Sequence, residues 1–350
     1  MNLAGNPEQA FLLLFLTFLG ISTSIRIWLA LRQIQYVQAH KDIVPDAFAE
    51  RISIDQNRKA ADYASEKCTL EVAEILTSTI AVLALTVGGG LQFLSEIASV
   101  MFAPASIPNG ITLFAVLALM LALIDLPFGL YRTFVIEERF GFNKMTFGAY
   151  VTDLIKQLLL SALLGLPLIT LVLTLMGGRG NWWWLWTWLC WMAFNLVLLA
   201  LYPTLIAPLF NKFVPLERQD LKERLEALLK NCGFKSRGLF VMDGSRRSSH
   251  GNAYFSGFGS AKRIVLFDTL IARLTPVEIE AVLAHELGHF ARRHIAKRII
   301  LLAMGSLIML SILGWLINQQ WFFTAFGVAD RSDAAALLLT APLAAGEQEP

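Results

Sequence analysis

Residues 158–176 read LLLSALLGLPLITLVLTLM, with no charge between Leu158 and Met176. A helix of that length, rising about 1.5 Å per residue, crosses the roughly 30 Å hydrocarbon core of a bilayer. Similar runs stand at Gln9–Ile25, continuing past Arg26 to Leu31, at Ile75–Leu94, at Ile111–Leu130 with the single charge Asp125, at Trp182–Phe210, and from Ile299 past Ile317. A seventh apolar run opens at Ala334. Six spans and a partial seventh predict a mainly α, polytopic membrane protein.

Composition agrees. Of 350 residues, 56% are hydrophobic and 16% charged, against about 25% charged in soluble domains. Mean hydropathy is +0.57. A disordered chain and a small secreted domain are excluded, and a net charge of +2 is too mild to imply nucleic acid. Cys68, Cys190 and Cys232 are far apart and odd in number, so they suggest packing rather than a disulfide framework. The leader Met1–Ala10 carries Glu8 and no Lys or Arg, which favours a retained anchor over a signal peptide.

The basic residues choose an orientation. Stretch 26–74 holds seven Lys and Arg, 131–157 holds four and 211–298 holds sixteen, leaving only Arg179 and Arg331 for the other side. With six alternating spans, all three basic stretches fall on one face. They are expected to be cytoplasmic, with the N-terminus outside. Six of the nine Trp lie between Trp182 and Trp191, as an aromatic belt at the outer interface would require. Asp125 is expected either to serve a polar interior or to pair with a basic residue such as Arg132. Gly88-Gly89-Gly90 suggests close helix packing.

This divides the chain into a membrane domain at 1–210 with five spans, an insert at 211–298, and the sixth and partial seventh spans at 299–350. In the insert, Leu221, Leu225, Leu228 and Leu229 line one face of a helix over Asp220–Asn231. Short β-like runs follow at Leu239–Met242, Tyr254–Phe258 and Ile264–Phe267, and predict a small antiparallel sheet. Thr275-Pro276-Val277-Glu278 is a capping box that starts a helix running to about Arg298.

That helix carries His285-Glu286-Leu287-Gly288-His289, an H-E-x-x-H motif expected roughly 0.003 times by chance in this composition. Residues at i and i+4 share a helical face. Two imidazoles there can ligate one zinc ion, and Glu286 can act as general base towards a polarised water. Such a centre usually has a third protein ligand. His294, five residues past His289, would face elsewhere on a continuous helix, and His250 is a remote candidate. Downstream acids are Asp330, Asp333, Glu347 and Glu349.

The chain resembles the type I CAAX prenyl endopeptidases, integral-membrane zinc proteases. The likeness is carried by residues 56–63 (QNRKAADY), 135–143 (VIEERFGFN), Tyr202-Pro203 through Asn211, 250–255 (HGNAYF) and the extended zinc helix. It implies seven membrane helices around a chamber, with zinc on His285 and His289 and Glu286 as the catalytic base. It also implies a peptide or membrane-protein substrate lying as an added strand along Asn252-Ala253-Tyr254, a segment that spacing alone reads equally well as a β-turn. The third ligand is implied to be a Glu in a downstream Glu-x-x-x-Asp motif. The likeness fades near Thr340 and no such motif follows, so the expectation is a C-terminally incomplete member with weak zinc binding and little proteolysis. The alternative is an impaired relative acting as a membrane binding or scaffold protein. Ala/Leu-rich spans and short loops suggest a bacterial cytoplasmic membrane, and a role in membrane-protein processing or quality control. Oligomeric state is left open.

Overall fold

Ser53 accepts the backbone N–H of Gln56 while the Gln56 side chain accepts the Ser53 N–H. This reciprocal cap starts a helix twenty-one residues ahead of the apolar run at Ile75, and other spans likewise outgrow their apolar stretches. The computed structural model describes residues 6–178, 180–234, 236–256, 263–292, 294–329 and 331–344. Arg179, Asp330, Glu347 and Glu349 lie outside the described residues, as do 257–258 of one expected strand. Among the described residues, six helical spans are long and apolar enough to cross a membrane: Pro7–Ala39, Ile54–Leu85, Ile107–Phe140, Phe147–Gly178, Gly180–Phe210 and His294–Leu316. The fold is that of a mainly helical, polytopic membrane protein with a small sheet.

Two compact units divide the chain, the first comprising Met1–Phe140, Leu166–Trp184 and Met309–Pro350, the second Gly141–Gly165 and Leu185–Ile308. In the first, α1 (Pro7–Ala39) runs antiparallel to α2 (Ile54–Leu85). Thr23 and Thr79 hydroxyls meet at 3.0 Å, and Gln38 donates to Ser65 at 2.9 Å. α2 ends at Leu85. Gly89 sits at φ +76°, and a Cβ on Gly88 or Gly90 would strike the Ala84 carbonyl oxygen at 2.6 or 2.7 Å. The triple glycine therefore makes a tight turn into α3 (Gly90–Met101), not a helix-packing face. The expected run Ile75–Leu94 is two helices.

α4 (Ile107–Tyr131) passes through a π-helical turn, Arg132–Glu137, into Glu138–Phe140. Three polar links tie this end to α2. Arg132 Nη2 reaches both Glu74 oxygens at 2.6 and 2.8 Å, Tyr63 donates to Glu137 at 2.5 Å, and Arg139 meets Glu66 at 2.5 Å. Arg132 is thus the partner of Glu74 rather than Asp125. α5 (Phe147–Gly178) and α6 (Trp183–Leu201), the latter continuing to Phe210, follow.

The second unit holds the sheet. Its order is β1-β2-β4-β3, with β1 Phe213–Pro215, β2 Leu239–Met242, β3 Ala253–Ser256 and β4 Arg263–Phe267. β1–β2 and β3–β4 pair antiparallel, but β2 and β4 run parallel, so the sheet is mixed. β3 reverses the chain once more before β4 and takes the outer edge, which leaves β4 beside β2 in the same direction. β1, too short for a sequence signal, supplies the other edge. α7 (Gln219–Asn231) buries Leu221, Leu225 and Leu229 in one core with Ala253, Ile264 and Leu266 of the sheet. After β4, α8 (Asp268–Arg273) leads to α9 (Pro276–Ala291), and α10 (His294–Leu316) is a separate helix. The expected single helix to Arg298 instead ends at Ala291, with a turn at Arg292, and a new helix opens at His294. α11 (Gln320–Thr324) and α12 (Asp333–Ala344) end the described chain.

Candidate active site

The motif helix α9 is fixed from its first residue. Glu278 accepts from Thr275 N–H at 2.9 Å and from its hydroxyl at 2.8 Å. Such a cap contributes about 1 kcal/mol. Ile279, Leu283 and Leu287, spaced by four, are buried in the core with the α7 leucines. Each buried aliphatic side chain is worth roughly 1.5–3 kcal/mol. Arg224 on α7 also pairs with Glu280. With that face committed to the core, His285 and His289 are exposed and Glu286 is half-buried between them.

The two imidazoles converge. His285 Nε2 and His289 Nε2 stand 3.2 Å apart, with the rings edge to face. Two nitrogens each about 2.05 Å from a tetrahedral zinc ion are about 3.3 Å apart. His285 and His289 therefore fit one such ion through Nε2. Among the described residues no group of three or more His, Cys, Asp or Glu side chains is placed to hold a metal.

His294 is where the sequence misled. On an unbroken helix it would lie about 140° from His289, but the break before α10 brings its Nδ1 to 3.0 Å from His289 Nδ1. If His289 offers the Nε2 lone pair to a metal, its Nδ1 carries the proton and His294 Nδ1 accepts it. In that state His294 would hold the tautomer of His289. His250 is elsewhere occupied, stacked on Phe142 with ring centroids 4.3 Å apart.

Asn252-Ala253-Tyr254 leads into the edge strand β3, which also packs against α9. Phe267 N–H donates to the Asn252 carbonyl, so ladder alternation turns the N–H and C=O of Ala253 and Phe255 away from β4. Asn252 Oδ1 accepts the Ala253 N–H at 2.8 Å and covers one of these edge groups. Burial, with some help from nearby Tyr202, pushes the Tyr254 phenol up to about 12. Gly251 stands in a close approach, since a Cβ there would lie 3.2 Å from Leu270 Cα.

The loop ahead of β3 is clamped by a segment a hundred residues earlier. Lys144 N–H donates to Arg247 O, Ser249 N–H to Phe142 O, and Asn143 bridges to Ser248. Arg247 in turn bonds Asp153 at 2.8 Å and Asn211 at 2.7 Å. Isolated polar residues of this kind give no periodic signal, and only the fold brings them together.

Comparisons with known proteins extend these observations. A family profile described as "CAAX prenyl protease N-terminal, five membrane helices" matches residues 33–212, and one described as "Peptidase family M48" matches 215–348. A rice protein named CAAX prenyl protease 1 homolog is 42% identical over 61% of this chain and 51% of its own length, so the chain spans about half of that relative. A Dictyostelium discoideum protein of the same name is 33% identical over 85% of this chain and 71% of its own. The crystal structure of S. mikatae Ste24p superposes with a TM-score of 0.84 at 29% identity, covering 94% of this chain and 81% of that one. These relatives are eukaryotic and lend no support to a bacterial source.

Proposed function

Because the chain belongs to the CAAX prenyl protease 1 family of M48 peptidases, we propose that it is a membrane-embedded zinc endopeptidase whose site is built on α9. The observation that carries this reading is the 3.2 Å approach of His285 and His289 Nε2 atoms on one helical face, with Glu286 between them. When bound, zinc would polarise a peptide carbonyl and acidify water. Glu286 would take a proton from the attacking water and return it to the departing amine nitrogen. The outward Ala253 and Phe255 backbone groups would hold the substrate as an added strand, with Asn252 and Tyr254 flanking it.

The substrate is a peptide or membrane protein presented at the bilayer. The basic stretches would face the cytoplasm, with the N-terminus outside. The bacterial placement rests only on Ala/Leu-rich spans and short loops. A membrane binding or scaffold role is the second reading. Cleavage of a farnesylated peptide beside its unmodified counterpart tests the main proposal. Glu286-dependent cleavage of either supports the protease, and preference between them assigns prenyl trimming or general processing. Retained peptide binding with no cleavage by the zinc-loaded chain favours the scaffold.

A further inference from the structure

A cavity of about 380 Å³ lies in the second unit, and none of its lining residues belongs to the metal pair or to β3. Thr152, Asp153 and Lys156 of α5, together with Lys212, Arg246 and Arg247, give it four basic side chains against one acidic one. Arg247 is spent on Asp153 and Asn211, and the two ion-pair partners are 26% and 14% exposed, so they form a fixed wall. The other cations keep donors to offer. Lys156 gives one N–H to the Leu209 carbonyl at 2.9 Å. Arg246 touches Asp243 at 3.2 Å yet stays 62% exposed. Among the described residues, the Lys212 ammonium has no hydrogen-bond or ion-pair partner.

Place matters as much as charge. Lys156 is the last charge before the uncharged run that opens at Leu158, and Lys212 is the first after the run that ends at Phe210. The cavity therefore sits where two membrane-length helices leave the hydrocarbon, at headgroup depth. A choline headgroup brings its own cation, which the excess positive charge opposes. A phosphate without that cation matches both the charge and the unspent donors.

We propose that this cavity binds the headgroup phosphate of an anionic phospholipid, with Lys156, Lys212 and Arg246 as donors. The full chain would be reconstituted into phosphatidylcholine vesicles, and the binding of spin-labelled phosphatidylglycerol and phosphatidylcholine compared. The anionic lipid should be preferred. Lys212→Gln and Lys156→Gln should each weaken that preference about fivefold, whereas Lys156→Arg should retain it. Lys212→Gln breaks none of the described bonds, so its effect is not one of folding. Equal retention of the two lipids would overturn the proposal. So would displacement of the lipid by millimolar inorganic phosphate, which would mark a small-anion site, or Lys212-dependent binding of a free peptide C-terminus in place of the lipid.

Discussion

At the residue scale, three side chains of one helix and one beyond it form the candidate centre. Glu286→Gln keeps the shape of the side chain but cannot accept a proton. It is expected to lower peptide hydrolysis about 10²–10⁴-fold while zinc affinity holds, measured by cleavage assay and chelator competition on the same preparation. His294 acts on the metal through His289. His294→Leu should weaken zinc binding about 10–100-fold. His294→Asn, whose Oδ1 can stand where Nδ1 accepts, should recover part of that loss. Equal zinc affinity in all three proteins would leave His294 with no role in positioning. The motif pair was legible because i and i+4 spacing fixes a shared face. His294 was not, because its place depends on a helix break that leaves no proline or glycine between Ala291 and His294.

At the element scale, α9 is held by its cap and by Ile279, Leu283 and Leu287. Leu283→Ala should cost about 2–5 kcal/mol, read as a lowered denaturation midpoint with loss of zinc affinity as the helix loosens. Thr275→Ala should cost only about 1 kcal/mol. The cap and the leucine face were legible because each is a local pattern. Strand order was not. Leu239–Met242 and Arg263–Phe267 look alike in sequence, and their parallel pairing follows only from β3 occupying the outer edge. The triple glycine suggests a packing face in sequence, yet Gly89 at positive φ turns the chain into α3 four residues past the end of α2. Glycine permits both, and sequence alone does not choose. If β3 is the substrate edge, N-methylation of the peptide backbone should raise KM, because it removes the N–H that strand addition uses.

At the scale of the whole molecule, the spans were legible from uncharged runs, and the distribution of 29 basic residues predicts a sided membrane protein. Impermeant thiol labelling of single cysteines in a cysteine-free background checks the orientation. A cysteine at Lys230 should react only from the cytoplasmic face and one at Asn318 only from the other. Equilibrium zinc binding by the full chain in detergent, beside His285→Ala and His289→Ala, tests the imidazole pair as the metal site. Saturable binding of a single ion, lost in both histidine variants and preserved in Glu286→Gln, is the predicted result. An absence of zinc binding, or binding indifferent to both histidines, would contradict it.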